Sequence, residues 1–384
     1  MRAGTRRGAR WLAGVWAVAV VRAAVVMAGP AQAATAPFTY SAVAWTGTSV
    51  VVAAVNNAGN LDYYEQDSGT TWHQEVVAKC CYNNSVPSIA QTGRTVSIAD
   101  SGEGGQVDYY YHYDGICLVK SVCTQGWHEQ VVATAPRGTP YGPATISWTG
   151  SAVIIAAVDQ VGALDYWYQD AGTRAWHKEQ VATDVGYNTT AGPSIGWTGS
   201  TVVITDADAH GNVDYWYQDA GTRPWHQQRV APPESLRAGG YWTYPVISWT
   251  GSAVIIAATN EEGDLDYWHQ HAGSWLQQQV AGVASVASFG PAIAWTGSSV
   301  VLAAVSQGSL NFWVQAAGTR PWHHEHVATI SQANDDFPPS MAAAGHSVVI
   351  TDSDGSLLPI GGNLDYWWKK VGTTDWHQQQ VAAG

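Results

Sequence analysis

Between Thr145 and Ala182 the hydrophobic rhythm of the chain changes four times. "TISW" (145–148) is a short mixed segment, "AVIIAAV" (152–158) is apolar at every position, and "WHKEQVA" (176–182) closes the stretch with polar and apolar residues mixed. Between the last two, "LDYWYQ" (164–169) alternates, with Leu164, Tyr166 and Tyr168 on one face and Asp165, Trp167 and Gln169 on the other. A period of two is the signature of a strand, whose side chains point to opposite faces in turn. Gly and polar residues separate the segments, which predicts four strands joined by hairpin turns. The all-apolar second segment predicts a strand buried on both faces.

The same pattern recurs along the chain. A Gly-x-Leu/Val-Asp turn marks Asp62, Asp108, Asp165, Asp214, Asp266 and Asp365, and Gly308-Ser-Leu-Asn311 is a seventh copy with Asn in place of the acid. Upstream stands Trp-Thr-Gly, at Trp45, Trp148, Trp197, Trp249 and Trp295, with weaker forms at Gln91-Thr-Gly and Ala344-Gly. Downstream stands Trp-His, at Trp72, Trp127, Trp176, Trp225, Trp322 and Trp376, while Trp275 is followed by Leu276. The repeats run over about 40–78, 86–133, 143–182, 192–231, 244–281, 290–328 and 338–382. A four-stranded sheet of this size cannot bury both faces alone, but seven packed around an axis cover one another. The expectation is an all-β chain folded as a single seven-bladed β-propeller of four-stranded antiparallel blades over 34–384. A solenoid would need distinct capping repeats at its ends, and the first and last copies look like the middle ones. The pattern leaves open whether blades are whole or the first strand completes the last blade.

Composition fits this picture. Forty glycines, 21 tryptophans and 18 tyrosines against 17 Lys and Arg suit short strands and turns rather than helices. Residues 1–33 read as an export signal: basic Arg2, Arg6, Arg7 and Arg10, an apolar run from Trp11 to Val21, and Ala31-Gln32-Ala33 as a cleavage site. A secreted, extracellular protein is therefore expected. Removing the signal takes away five arginines and no acids, leaving 12 basic and 30 acidic residues, a formal charge of −18. Such a surface repels phosphate backbones and anionic lipid, so neither nucleic acid nor membrane insertion is expected.

All four cysteines lie in or beside the second repeat. In a secreted chain they imply disulfides, with three possible pairings. Three antiparallel strands separate Cys81 from Cys117, which places those two pairs near opposite ends of the blade, about 17 Å apart and beyond bridging reach. Cys117 with Cys123 is the expected bridge, leaving Cys80 and Cys81 as a vicinal pair or free thiols.

The candidate chemistry is aromatic. Trp-His recurs too often for a catalytic centre, which needs one unique constellation; Trp filling the space between blades and His bonding a neighbouring backbone group is the structural reading. The Asp after each turn is expected to bond backbone amides at the hairpin. His324 and His326 in "WHHEH", and His269 and His271 in "HQH", fall short of the three or four converging ligands of a zinc site. The acidic loops at 205–212 and 351–363 lack the spacing and terminal Glu of an EF-hand loop. No hydrolase motif is present, so neither cofactor nor metal is expected and the chain is read as a non-enzyme.

Two residues past each turn Asp stand Tyr64, Tyr110, Trp167, Trp216, Trp268, Trp313 and Trp367. With the Trp of the Trp-His phrases (Trp72, Trp127, Trp176, Trp225, Trp322, Trp376) they are the candidate ligand-binding residues. Flat rings beside Asp, Gln and His suit sugars, whose C–H faces stack on aromatics; the same rings would also pack well between blades.

The unit "PSIGWTGSTVVITDADAHGNVDYWYQDAGTRPWHQQRVA" (193–231) resembles, in strand order and Trp-rich closing strands, bacterial seven-bladed propeller lectins of the fucose-binding, tectonin-like kind. The likeness spans residues 38–384 in layout. It implies sugars held in crevices at or between blades, each weakly and the array strongly, with cell-surface or polysaccharide glycans as partners. The second expectation is a scaffold docking a companion secreted protein through the second repeat's insertion before Trp127, which carries Cys117 and Cys123, and the loop at 352–362, where the chain departs from its repeat.

Overall fold

The apolar segment Ala152–Val158 is buried along its whole length, because it is an inner strand with a neighbouring blade against each face. In the computed structural model it is the second strand of a sheet made of Thr145–Trp148, Ala152–Val158, Leu164–Asp170 and His177–Ala182. The structure describes residues 38–383 except 57, 68–69, 80–85, 94, 103, 114–125, 136–137, 189–190, 220–223, 233–241, 261, 283–289, 318, 320, 331–337 and 354–361. Cys80, Cys81, Cys117 and Cys123, with the bridge expected between the last two, lie outside the described residues.

The described residues form seven such sheets, each of four consecutive antiparallel strands. Blades one to seven span 38–78, 88–133, 145–182, 194–231, 242–281, 292–329 and 340–382. Each blade is whole, which settles the question of phase. The ring closes by packing: the first strand of blade seven lies against that of blade one. The Val43 amide donates to Ser340 Oγ at 3.0 Å, and Ser353 Oγ donates to the Thr39 carbonyl at 2.7 Å. First strands from all seven blades line a central channel of about 310 Å³, walled by small and apolar residues, prolines, and Tyr40 and Tyr244.

The recurring phrases have local reasons. In Trp-Thr-Gly, the Thr hydroxyl accepts the amide three residues on, at 2.9 Å for Thr149 and Ala152 and 3.0 Å for Thr46 and Ser49, closing the first hairpin. The turn glycine Gly162 has φ +83°, and a Cβ there would sit 2.7 Å from the Val185 carbonyl, so both conformation and space demand Gly. The second hairpin is capped by the Asx residue that opens it, not by the Asp that follows it: Asp159 Oδ1 accepts from Val161 and Ala163, and Asn56 Oδ1 from Ala58 and Asn60. Among the described residues no helix is long and apolar enough to cross a membrane.

Candidate functional site

The aromatic residues two past each turn Asp sit in the core. Tyr64, Tyr110, Trp167, Trp216, Trp268, Trp313 and Trp367 are only 1–4 % exposed, leaving no ring face open to a ligand. Their face of the third strand points at the preceding blade, where each joins an apolar cluster spanning the seam. The expectation that they stack on sugars is thus corrected to packing.

The Trp of the Trp-His phrases are half-buried and form a lock repeated at every seam. Trp72, Trp127, Trp176, Trp225, Trp322 and Trp376, with Trp275 completing the set, each meet edge-on the aromatic ring one past the turn Asp of the preceding blade. The seven pairs are T-shaped with centroids 5.0–5.3 Å apart, from Tyr63–Trp127 to Phe312–Trp376. Edge-to-face contact puts the positive rim of one ring on the negative face of the other, worth about 0.5–1.5 kcal/mol beyond burial.

Above each lock lies a polar clasp. Three residues past each lock Trp stands an acceptor that bonds a third-strand side chain of the next blade: Gln379 with Gln66 at 3.2 Å, Gln130 with Gln169 at 3.0 Å, Glu179 with Gln218 at 2.7 Å, Gln228 with Gln270 at 3.4 Å and Gln278 with Gln315 at 2.9 Å. The two remaining seams pair acid with base, Glu75 with His112 at 3.4 Å and Glu325 with Lys369. The same acceptor takes the lock indole N–H in four seams, Trp127 to Glu75 at 3.0 Å, Trp176 to Gln130 at 3.3 Å, Trp225 to Glu179 at 3.2 Å and Trp376 to Glu325 at 3.1 Å. The indoles of Trp72, Trp275 and Trp322 are buried without a partner; each faces a Gln, whereas three of the four bonded indoles face a carboxylate, the stronger acceptor.

Outside clasp and lock the seam opens into a crevice. Between blades five and six its volume is about 790 Å³, within the range of small-molecule sites. Tyr267 and His269 form one wall and Trp295 the other, Gln278 and Gln315 supply amides, and the rim comes from Thr250, Ser252 and Thr319. The rim residues belong to turns joining first to second and third to fourth strands. Those turns emerge at one end of every blade, so the equivalent crevices share one face of the ring.

The blade-side wall is a stack of rings. Tyr166, Tyr168 and His177 lie face to face at 5.9 and 4.8 Å, and Tyr215, Tyr217 and His226 at 5.5 and 5.0 Å; Trp368 on His377 is closer still at 4.3 Å. Where the cross-strand neighbour is aromatic, the His of Trp-His stacks on it, as His128 does on Tyr111, whereas His73 and His323 stand opposite Glu65 and Val314. In blade five the roles trade: His269 stands on the third strand opposite Leu276. Burial, with His271 nearby, pulls His269 below the usual imidazole range, so this wall is uncharged at neutral pH.

The turn Asp residues are buried and bond side chains. Gln277 donates to Asp266 at 2.8 Å, Gln227 to Asp214 at 3.0 Å, and both Lys178 and the Tyr141 hydroxyl reach Asp165 at 2.7 Å. Burial pushes Asp62 and Asp108 up to about 6 despite amide donors, and Asp206, opposite Asp214, up to about 8. His324 Nε2 lies 3.0 Å from Asn311 Oδ1, and among the described residues no three His, Cys, Asp or Glu converge as a metal site.

The crevice residues missed at the level of sequence are the position three past the turn Asp and the Trp of Trp-Thr-Gly. The former shares a strand face with the lock aromatic, and the latter reads along the chain as a turn marker. Both belong to the aromatic surplus, but they meet only across a seam, from different repeats.

No family model and no curated protein matches the sequence. Among solved structures, the BP39L lectin from Burkholderia pseudomallei superimposes with TM-score 0.71 at 14 % identity, covering 90 % of this chain and 100 % of that one. The Aleuria aurantia lectin, a six-bladed β-propeller described with a fucose recognition mode, gives TM-score 0.51 at 14 % identity over 77 % of this chain and 98 % of that one. The SapL1 lectin, solved with α-methyl fucoside, gives 0.51 at 11 % identity over 76 % and 95 %. At these identities the likeness establishes the propeller fold.

Proposed function

We propose that the chain is a secreted, non-enzymatic carbohydrate-binding propeller whose shallow sites lie in the crevices between blades. The observation that carries this reading is the crevice between blades five and six, where ring faces stand on two walls over an amide floor. Aromatic walls take the C–H faces of a sugar and amides exchange hydrogen bonds with its hydroxyls. Sites repeated on one face let weak individual contacts sum when the target is a glycan-bearing surface. The lectin neighbours support a glycan partner.

The test is a glycan array and polysaccharide pull-down with the secreted chain. Retention on a defined glycan, competed by the free sugar, is expected. An array blank at high glycan density contradicts the proposal.

A further inference from the structure

The seven seams are not equivalent, and they differ at three positions together. Five bring an aromatic or His wall against a Trp: Trp368 with Trp45, Tyr111 with Trp148, Tyr168 with Trp197, Tyr217 with Trp249, and His269 with Trp295. At the seam between blades one and two strand register places Glu65 and Gln91 at these positions, and between blades six and seven Val314 and Ala343. Wall and facing Trp are lost together, although they belong to different repeats. The clasp divides the same way. The five seams with rings have Gln–Gln or Gln–Glu clasps, and the two without have the Glu75–His112 and Glu325–Lys369 pairs.

The lock does not follow this division, since Tyr63–Trp127 and Phe312–Trp376 are as well formed as the rest. Blade packing therefore does not require the crevice rings, and a second demand must select them. A sugar seated over the Glu325–Lys369 pair would find the charges already committed to each other and no ring to stack on. Over an amide clasp it exchanges one set of neutral hydrogen bonds for another.

Resting on the proposed carbohydrate binding, we infer that five seams are sugar sites (seven–one, two–three, three–four, four–five and five–six), that one–two and six–seven are structural, and that the ligands are uncharged sugars. The clasps of the five seams carry no cation, and their one charged member is Glu179. A carboxylated sugar would have no cationic clasp partner there, in a chain of formal charge −13. Glu179 makes seam three–four the site best suited to hydroxyl donors.

The experiment is equilibrium dialysis of the secreted chain at saturating methyl α-L-fucoside, methyl β-D-galactoside, methyl α-D-mannoside and N-acetylglucosamine, with N-acetylneuraminic acid as the acidic arm. At least one neutral sugar should saturate at five per chain and the acid should not bind. Trp197→Leu, and separately Tyr168→Leu on the facing wall, should each lower the count to four with the melting transition still cooperative. Gln91→Ala and Val314→Ala should leave five. A count of seven, a loss caused by either of the last two variants, or binding of the acid overturns this assignment and leaves carbohydrate binding standing. Binding of none of the sugars, here and on the glycan array, overturns both.

Discussion

Two adjacent seams show how this ring separates holding together from reaching out. Between blades five and six, Tyr267 meets Trp322 at 5.3 Å, Gln278 meets Gln315, and an open crevice lies between His269 and Trp295. Between blades six and seven, Phe312 meets Trp376 at 5.1 Å, but Lys369 is buried against Glu325 and lies over the Phe312 ring at 4.4 Å, and Val314 and Ala343 replace the walls. The lock is common to both, so it belongs to the fold. What differs lies above it, and there one seam is tied by charge and the other is left neutral and lined with rings.

Breaking the charged clasp should have the largest effect. Lys369→Ala leaves Glu325 largely buried with the Trp376 indole as its remaining clasp partner, and should cost about 3–5 kcal/mol in urea unfolding. Gln315→Ala in the neighbouring seam removes a neutral bond and should cost about 1 kcal/mol. Equal losses would erase the distinction between the seams.

The indoles offer a finer comparison. Trp225→Phe loses the bond to Glu179 and should cost about 1 kcal/mol more than Trp322→Phe, whose indole N–H has no partner to lose. Conversely, Gln278→Glu supplies Trp322 with the carboxylate that Trp225 has, and should stabilise by about 0.5–1 kcal/mol at neutral pH. A destabilised Gln278→Glu would show that the Gln is not what leaves the indole unmet.

A further comparison is one of pH. Asp62 and Asp108, raised to about 6, and Asp206, raised to about 8, hold their protons more tightly folded than unfolded. Their contribution is full below the ordinary Asp value and is lost as pH rises through those folded values. The thermal midpoint should fall between pH 5 and 9, and Asp206→Asn should flatten the part above pH 7 and melt above the parent at pH 9. A parent midpoint that climbs over that range would contradict the burial assigned to these carboxylates.

Strand order, blade number and the inner position of segments such as "AVIIAAV" were legible because they depend on periodicity within one repeat. The fate of each tryptophan was not. Trp167 and Tyr168 are neighbours on one strand, yet one is in the core and the other stacks on His177 at a crevice wall, because the two faces of a blade meet different neighbours. The clasp was hidden for the same reason: Gln218 and Glu179 are 39 positions apart and meet only once the ring is built. The correlated loss of Glu65 with Gln91 and Val314 with Ala343 was present in the sequence, but it has meaning only when blade n is read against blade n+1.

The most direct measurement is a crystal of the chain soaked in whichever neutral sugar the dialysis selects. The account predicts sugar density against Trp45, Trp148, Trp197, Trp249 and Trp295, with the seams at Gln91 and Ala343 empty. Sugar seated in the central channel, on the outer strands, or over the Glu325–Lys369 pair would contradict it.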